Sequence, residues 1–381
     1  MINAGSSSLK VKLLPGGASI LIERIGGRPV ASDGEGPLTV PPLDGHGDAL
    51  DFALDRLASR GAGDPAAVGH RVVHGGVRYS APVLIDDEVE RSIVELSRLA
   101  PLHNPGNLAA IRAARLRLPE LPHVAVFDTA FHATLPERAY LYGLPLDLAR
   151  EQGIRRYGFH GTSHDLVTRR AAELLGRPRS ELRLVSFHLG NGASAAAVAF
   201  GQSVDTSMGF TPLEGLLMGS RCGDLDPGVV MHLLRQGMTV DELDELLNRG
   251  SGLKGMSGYS NDMRDVRAAA LAGEEGAAAA IELFGYRVRK TVGAYAAAMG
   301  GLDAVVFTGG IGENDAATRR EALAGLEFLG IELDAARNRA NAELISSAAS
   351  RVAVLVVPAD EESLIAEQVR QVVLGGASGE G

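Results

Sequence analysis

Short runs of Val, Leu, Ile and Ala, each broken by glycine or a polar turn, alternate along this chain with stretches in which apolar residues return every three or four positions. The short runs predict strands at Ala67–Val73, His123–Asp128, Leu182–Leu189, Ser194–Phe200, Ala304–Thr308 and Val352–Val357. The longer period predicts helices at Asp87–Leu99, Asn107–Leu116, Asp165–Leu175, Val229–Gln236, Val240–Asn248, Met263–Ala272, Gly276–Met299 and Glu362–Val373. Thr162-x-x-Asp165 and Thr239-x-x-Glu242 read as capping boxes at two helix starts. Gly16–Gly47 is dense in Gly and Pro and weakly periodic, so it reads as hairpins and loops. Only Met1 and Ile2 precede the first turn, which makes the first strand short. Strands alternating with helices mean an α/β protein.

At 381 residues the chain is too long for one small core, and two closely packed domains are expected. It has 37 basic and 47 acidic residues, a net charge of −10, which argues against nucleic acid or an anionic membrane as partner. Small anions stay open, because local arginines override the global charge. Cys222 is the sole cysteine, so an intrachain disulfide and a cysteine metal cluster are both excluded, and a reducing, cytoplasmic setting is expected. No apolar run approaches 18 residues and no signal-peptide pattern is present, so neither a membrane span nor export by that route is expected. With no tryptophan the core must be aliphatic.

Chemistry concentrates in glycine-rich turns. In Asn3-Ala4-Gly5-Ser6-Ser7-Ser8-Leu9-Lys10 a turn of little bulk lets backbone N–H groups approach a phosphate, with hydroxyls and an ammonium close behind. His188-Leu189-Gly190-Asn191-Gly192-Ala193-Ser194 lies between two apolar runs and reads as a hairpin tip. Thr308-Gly309-Gly310-Ile311-Gly312-Glu313-Asn314 follows a strand and opens a helix, a junction suited to a nucleotide phosphate. It is not G-x-G-x-x-G, because Asp315 stands at the last glycine position. Walker A, protein-kinase, HExxH and GxSxG signatures are all absent.

Arg71 ends a strand in His70-Arg71-Val72-Val73-His74-Gly75-Gly76, and Arg221 precedes a helix in Gly219-Ser220-Arg221-Cys222-Gly223-Asp224. Both suit carboxylate or phosphoryl oxygens, because a guanidinium is planar and always charged. His160, between an aromatic and a glycine, is a candidate phosphoryl-oxygen donor, whereas His103 and His164 read as structural hydrogen-bonders. The ten histidines are read as offering no zinc site. Asp128 sits at a strand's C-terminal end, a position for Mg²⁺ or a base; Glu361 heads the last helix, either as a metal carboxylate or as a charge favoured by the helix dipole.

Taken together and in order, the segments NAGSSSLK, HRVVHGG, PLHNPGN, VFDTAFH, YGFHGTSH, HLGNGAS, DTSMGFTPLEGLLMGSRCGDLDPG and FTGGIGEN resemble the acetate kinases of the acetokinase family, within the sugar kinase, heat-shock-70 and actin superfamily. The resemblance spans nearly the whole chain. It implies an actin-like ATPase (ribonuclease H-like) α/β fold with a duplicated βββαβαβα core and an interdomain active-site cleft. Domain I would be 1–129 plus 360–381, and domain II 130–359, carrying the nucleotide site and a homodimer interface. The implied reaction is reversible, Mg²⁺-dependent transfer from ATP to acetate, giving acetyl phosphate and ADP by direct in-line attack, with Mn²⁺ able to substitute.

Residue by residue, the resemblance puts Asn3, Ser6, Ser8 and Lys10 in a first phosphate loop, with Asn3 and Glu361 at the metal. Arg71 and Arg221 clamp the acyl substrate and the transferring phosphoryl. His160 donates to phosphoryl oxygens, and Asp128 is the family's catalytic acid. The acyl pocket is Val73, Leu102, Phe159 and Pro212. The nucleotide lies on His188, Gly190, Asn191 and Gly192, between a loop of Asp262, Met263 and Arg264 and a wall of Gly310, Ile311, Gly312, Glu313 and Asn314. Alternatives are a propionate or butyrate kinase of the same family, a pyrophosphate-using enzyme, and a non-catalytic actin-like protein. Small carboxylic acids titrate near 4 and need no base at neutral pH. Asp128 is therefore better suited to orienting Arg71 or holding metal-bound water than to abstracting a proton.

Overall fold

The structure, a computed structural model, describes residues 1–61, 63–101 and 103–377. The chain divides into two units: Met1–Phe131 together with the chain from Asp360 onward, and His132–Ala359.

The first unit is built on β1 (Ile2–Ala4), β2 (Ser8–Lys12), β3 (Ser19–Glu23), β4 (Val30–Asp33), β5 (Pro37–Leu38), β6 (Val68–Val72), β7 (Val83–Leu84) and β8 (His123–Phe127). They form one sheet in the order β5-β4-β3-β2-β1-β6-β8-β7. From β1 to β5 the chain is an antiparallel meander, which alternation makes possible: in β2, Leu9 and Val11 are buried while Ser8, Lys10 and Lys12 are not. β1, β6 and β8 run parallel, and all five residues of β8 are buried, as a strand covered on both faces requires. On one face Ile2, Leu9, Ile20 and Ile22 pack against Ala49, Leu50, Ala53 and Leu57 of the helix His46–Ser59. On the other, Val124 and Val126 meet Ile365 and Val369 of the C-terminal helix Glu361–Ala377, which returns to this unit.

The second unit repeats the plan with β9 (Arg183–Leu189), β10 (Ala193–Ala199), β11 (Gln202–Thr206), β12 (Ala304–Thr308) and β13 (Ala353–Val356), ordered β11-β10-β9-β12-β13. β9 to β11 are antiparallel, and β9, β12 and β13 parallel. The order matches β3-β2-β1-β6-β8, so the expected duplicated core is present. The turns at residues 5–7 and 190–192 join equivalent strand pairs.

Most expected elements form within a few residues of their anticipated ends. Gly16–Gly47 does form hairpins, but the helix His46–Ser59 has no counterpart among the expected elements. Thr239 and Glu242 form the anticipated capping box. Thr162 does not: its helix runs Gly161–Leu175, Thr162 is a buried first-turn residue, and the cap position is His160, in left-handed backbone with φ 54°. Among the described residues no helix is long and apolar enough to cross a membrane.

Candidate active site

In the first unit the chemistry gathers where β1, β6 and β8 end side by side. Arg71, the last β6 residue paired with β1, lies opposite Asn3, and Asp128 directly follows β8. Arg71 donates from Nε to Asp128 Oδ1 at 2.9 Å and from Nη2 to Oδ2 at 2.5 Å, a two-point grip on a carboxylate only 1 % exposed. Its Nη1 reaches Asn3 Oδ1 at 3.3 Å, and Glu361 Oε2 stands 3.7 Å from Nε. Burial would lower the Arg71 pKa, but Asp128, Glu361 and Glu362 outweigh it and hold the guanidinium above its ordinary value. Lys10 is paired with Glu362; burial would raise that carboxyl, yet the bond and the ammonium charge keep it low. Ser6 is exposed in the turn and Ser8 half-buried; Gly5 closes the turn through its N–H to Ser8 O at 2.9 Å. Val73 is buried beside this cluster in sequence, and Leu102 lies outside the described residues.

The second unit builds a different cluster around the hairpin 190–192. A Cβ placed on Gly192 would sit 3.3 Å from His160 Cε1 and 3.8 Å from Arg221 Nη1, so glycine lets both side chains close on the backbone there. Gly219, two residues before Arg221, donates to Asn191 O at 2.9 Å, and Asn261 Nδ2 holds Asn191 Oδ1 at 2.9 Å. Arg221 differs from Arg71 in its company. It reaches only Pro212 O, at 3.4 Å, forms no ion pair among the described residues, and is held below its ordinary pKa by burial. It is therefore a positive charge awaiting an anion. His160 shares Ser194 Oγ with His164, at 2.9 and 2.8 Å, and its ring lies tilted by 31° against His188 at 4.3 Å between centroids. His164, fully buried, also holds Ser186 Oγ at 2.7 Å, as its structural reading anticipated. Phe159, almost fully buried, lends its carbonyl to His132 Nε2 at 3.1 Å.

Beside the hairpin lies a cavity of about 630 Å³. Gly190 and Asn191 form one side, Asp262, Met263 and Arg264 another, and Gly310, Ile311 and Asn314 the third. Eight of the anticipated nucleotide residues thus line one space. Asn261, Arg267 and Asp315 also line it, and sequence reasoning missed them. Arg267 is the informative omission: it binds Asp315 at 2.6 Å and Glu321 at 2.7 Å, bracing the loop floor. Gly312 is buried and does not line the cavity. The Glu313 carboxylate is turned onto its own loop, accepting from Gly309 N and Ala359 N, both at 2.9 Å. His188 holds Ser163 Oγ at 2.8 Å.

Among the described residues no group of three or more His, Cys, Asp and Glu could hold a metal by itself. A nucleotide-borne Mg²⁺ asks for less, since one or two carboxylates with phosphate oxygens and water complete its shell. Asn3 and Glu361 are hard oxygen donors on one guanidinium and fit that partial set.

Comparison with known proteins agrees over the whole length. The Acetokinase family model matches residues 1–367. An acetate kinase of Clavibacter michiganensis is 51 % identical over 97 % of both chains. Among solved structures, an acetate kinase of Porphyromonas gingivalis superposes with a TM-score of 0.92 at 42 % identity, covering 98 % of each chain. A propionate kinase of Francisella tularensis gives 0.91 at 39 % identity, covering 97 % of this chain and 98 % of that one. With the duplicated sheet and the ordered glycine turns, these matches lead to one statement: the chain belongs to the acetokinase family.

Proposed function

We propose that this chain transfers the γ-phosphoryl group of ATP to acetate, giving acetyl phosphate and ADP, reversibly and with Mg²⁺. The observation that carries this reading is the hairpin 190–192, which has at Gly192 both His160 and Arg221, the latter in no ion pair among the described residues, and a roomy cavity at Gly190 and Asn191.

The difficulty of the reaction is repulsion, because an anion must approach a triphosphate. A guanidinium has five N–H donors. Arg71 spends two on Asp128 and one on Asn3, which leaves two for the acyl carboxylate. Asp128 orients Arg71; no base is required, since acetate is ionised near neutrality. Arg221, the His160 imidazole and the hairpin N–H groups receive the transferring phosphoryl, where positioned charge supplies most of the acceleration. Mg²⁺, held through Asn3 and Glu361, would neutralise charge on the phosphate oxygens, and Mn²⁺ would serve similarly. In the first unit, Val73 would bound the acyl methyl group. The family reading also supports a cytoplasmic homodimer formed through the second unit, where the helix Pro227–Arg235 has no buried residue and exposes Met231.

An assay trapping acyl phosphate as hydroxamate, run with formate, acetate, propionate and butyrate and with ATP or pyrophosphate, tests the proposal. Acetate with ATP should give the highest kcat/KM. Preference for propionate would favour the second reading, which the Francisella tularensis relative keeps open. ADP release independent of every acid would overturn both.

A further inference from the structure

Apart from Leu102, which the resemblance places in the acyl pocket, the segment Pro101-Leu102-His103-Asn104-Pro105-Gly106-Asn107 has no part in the chemistry above, yet the helix that starts at Asn104 begins against both key loops of the first unit. The helix Asn104–Arg117 carries two almost fully buried amides in its first turn: Asn104 is 0 % exposed and Asn107 2 %. Gly106 between them lets the helix abut the serine turn, since a Cβ there would sit 2.6 Å from Gly5 O. The parallel ladder between β1 and β6 ends at Asn3 and Arg71, and beyond it the strands part. Asn107 spans the gap. Its Oδ1 accepts from Val73 N at 3.0 Å and its Nδ2 donates to Ala4 O at 2.6 Å. The carboxamide thus replaces a peptide unit of the missing ladder, one donor and one acceptor in register. Asn104 does the same for the next residue, with Oδ1 on His74 N and Nδ2 on His74 O, both at 3.1 Å. On the far side, Asp128 N holds Val72 O at 3.0 Å and Thr129 Oγ1 takes Gly75 N at 3.0 Å.

We propose that Asn107 is a positioning residue for the acyl acceptor: by splicing Ala4 to Val73 it fixes the spacing between the serine turn and the Arg71–Val73 segment, and so sets affinity and chain-length selectivity for the carboxylate. The selectivity part rests on the reading of this chain as a short-acid kinase. Two variants of the full chain separate its two bonds. Asn107→Ala removes both, and KM for acetate should rise about tenfold, the propionate-to-acetate ratio of kcat/KM should increase, and KM for ATP should stay within about twofold. Asn107→Asp, of the same size, keeps an acceptor for Val73 N but sets a carboxylate against Ala4 O and so breaks the splice, and the ratio should shift in the same direction as in Asn107→Ala. Amide hydrogen exchange without substrate reads the clamp directly: protection at Val73 should be lost in Asn107→Ala and kept in Asn107→Asp. Unchanged exchange at Val73, or an unchanged acetate KM in Asn107→Ala, overturns the proposal. So does a parallel loss of affinity for acetate and ATP, which marks general unfolding. An unmodified protein inactive on every acid, but with Val73 protection that depends on residue 107, would instead remove the kinase reading and leave the clamp standing.

Discussion

Arg71 and Asp128 meet edge to edge, with Nε and Nη2 each on a separate carboxylate oxygen at 2.9 and 2.5 Å. The arrangement fixes the plane of the guanidinium as well as its position, which a single contact could not do. Asp128→Asn should keep the shape and lose the charge. KM for acetate should then rise more than tenfold, and the melting temperature should fall, because a buried guanidinium loses its main counter-charge, a change worth up to about 3–5 kcal/mol. A normal acetate KM in this variant would mean that Arg71 does not depend on Asp128 for its placement.

Arg221 should behave differently, because no ion pair holds it. Arg221→Ala should lower kcat by roughly 10³-fold or more with a much smaller change in KM for ATP. Removing an uncompensated, half-buried charge should leave the melting temperature within about 2 °C of the original. Steady-state kinetics and a thermal scan on one preparation decide this, and near-normal turnover takes Arg221 out of the mechanism.

Val73 is 6 % exposed and follows the Arg71 strand directly. One methylene in a tight pocket is worth about 1–3 kcal/mol. Val73→Ala should therefore raise the propionate-to-acetate ratio of kcat/KM by tenfold or more, at a stability cost on the order of 1–2 kcal/mol. An unchanged ratio would place the acyl pocket elsewhere.

Buried histidines set the acid limit of the fold. Burial holds His74 and His132 at about 4 against an ordinary 6.5, and pushes His70 and His164 down as well. An unfolded chain binds these protons near 6.5, while the folded one refuses them. The stabilisation is complete above about 6.5 and is lost progressively as pH falls toward 4. Melting temperatures measured between about pH 8 and 4.5 should decline through this window, and His132→Gln should flatten part of the slope. A flat profile from about pH 7 to 5 would show that these imidazoles accept protons in the folded state.

The central strands were legible because β6, β8, β9, β12 and β13 are buried on both faces, or nearly so; β8, β12 and β13 read as almost wholly apolar runs, and in β6 and β9 valine, leucine and phenylalanine flank a few polar residues. The glycine turns were legible because their composition has few other uses. The helix His46–Ser59 was hidden by the Gly- and Pro-rich stretch that runs into its first turn, and its cap, Gly45, makes no side-chain bond that a pattern could reveal. Thr162 misled because a hydroxyl followed three residues later by an acid looks like a cap wherever it falls. Arg267 and Asn107 escaped for another reason: their partners lie 48 and 34 residues away in sequence, or farther, and no local period encodes such a bond.

His160 carries a left-handed backbone with φ 54°, a region glycine enters freely and a β-carbon makes costly, by about 1–2 kcal/mol. This chain nevertheless carries an imidazole there. On the role proposed above for this imidazole, a screen for heat tolerance at this codon would drift toward glycine and select well-folded proteins with poor turnover, thermal resilience and catalytic fitness pulling that single position in opposite directions.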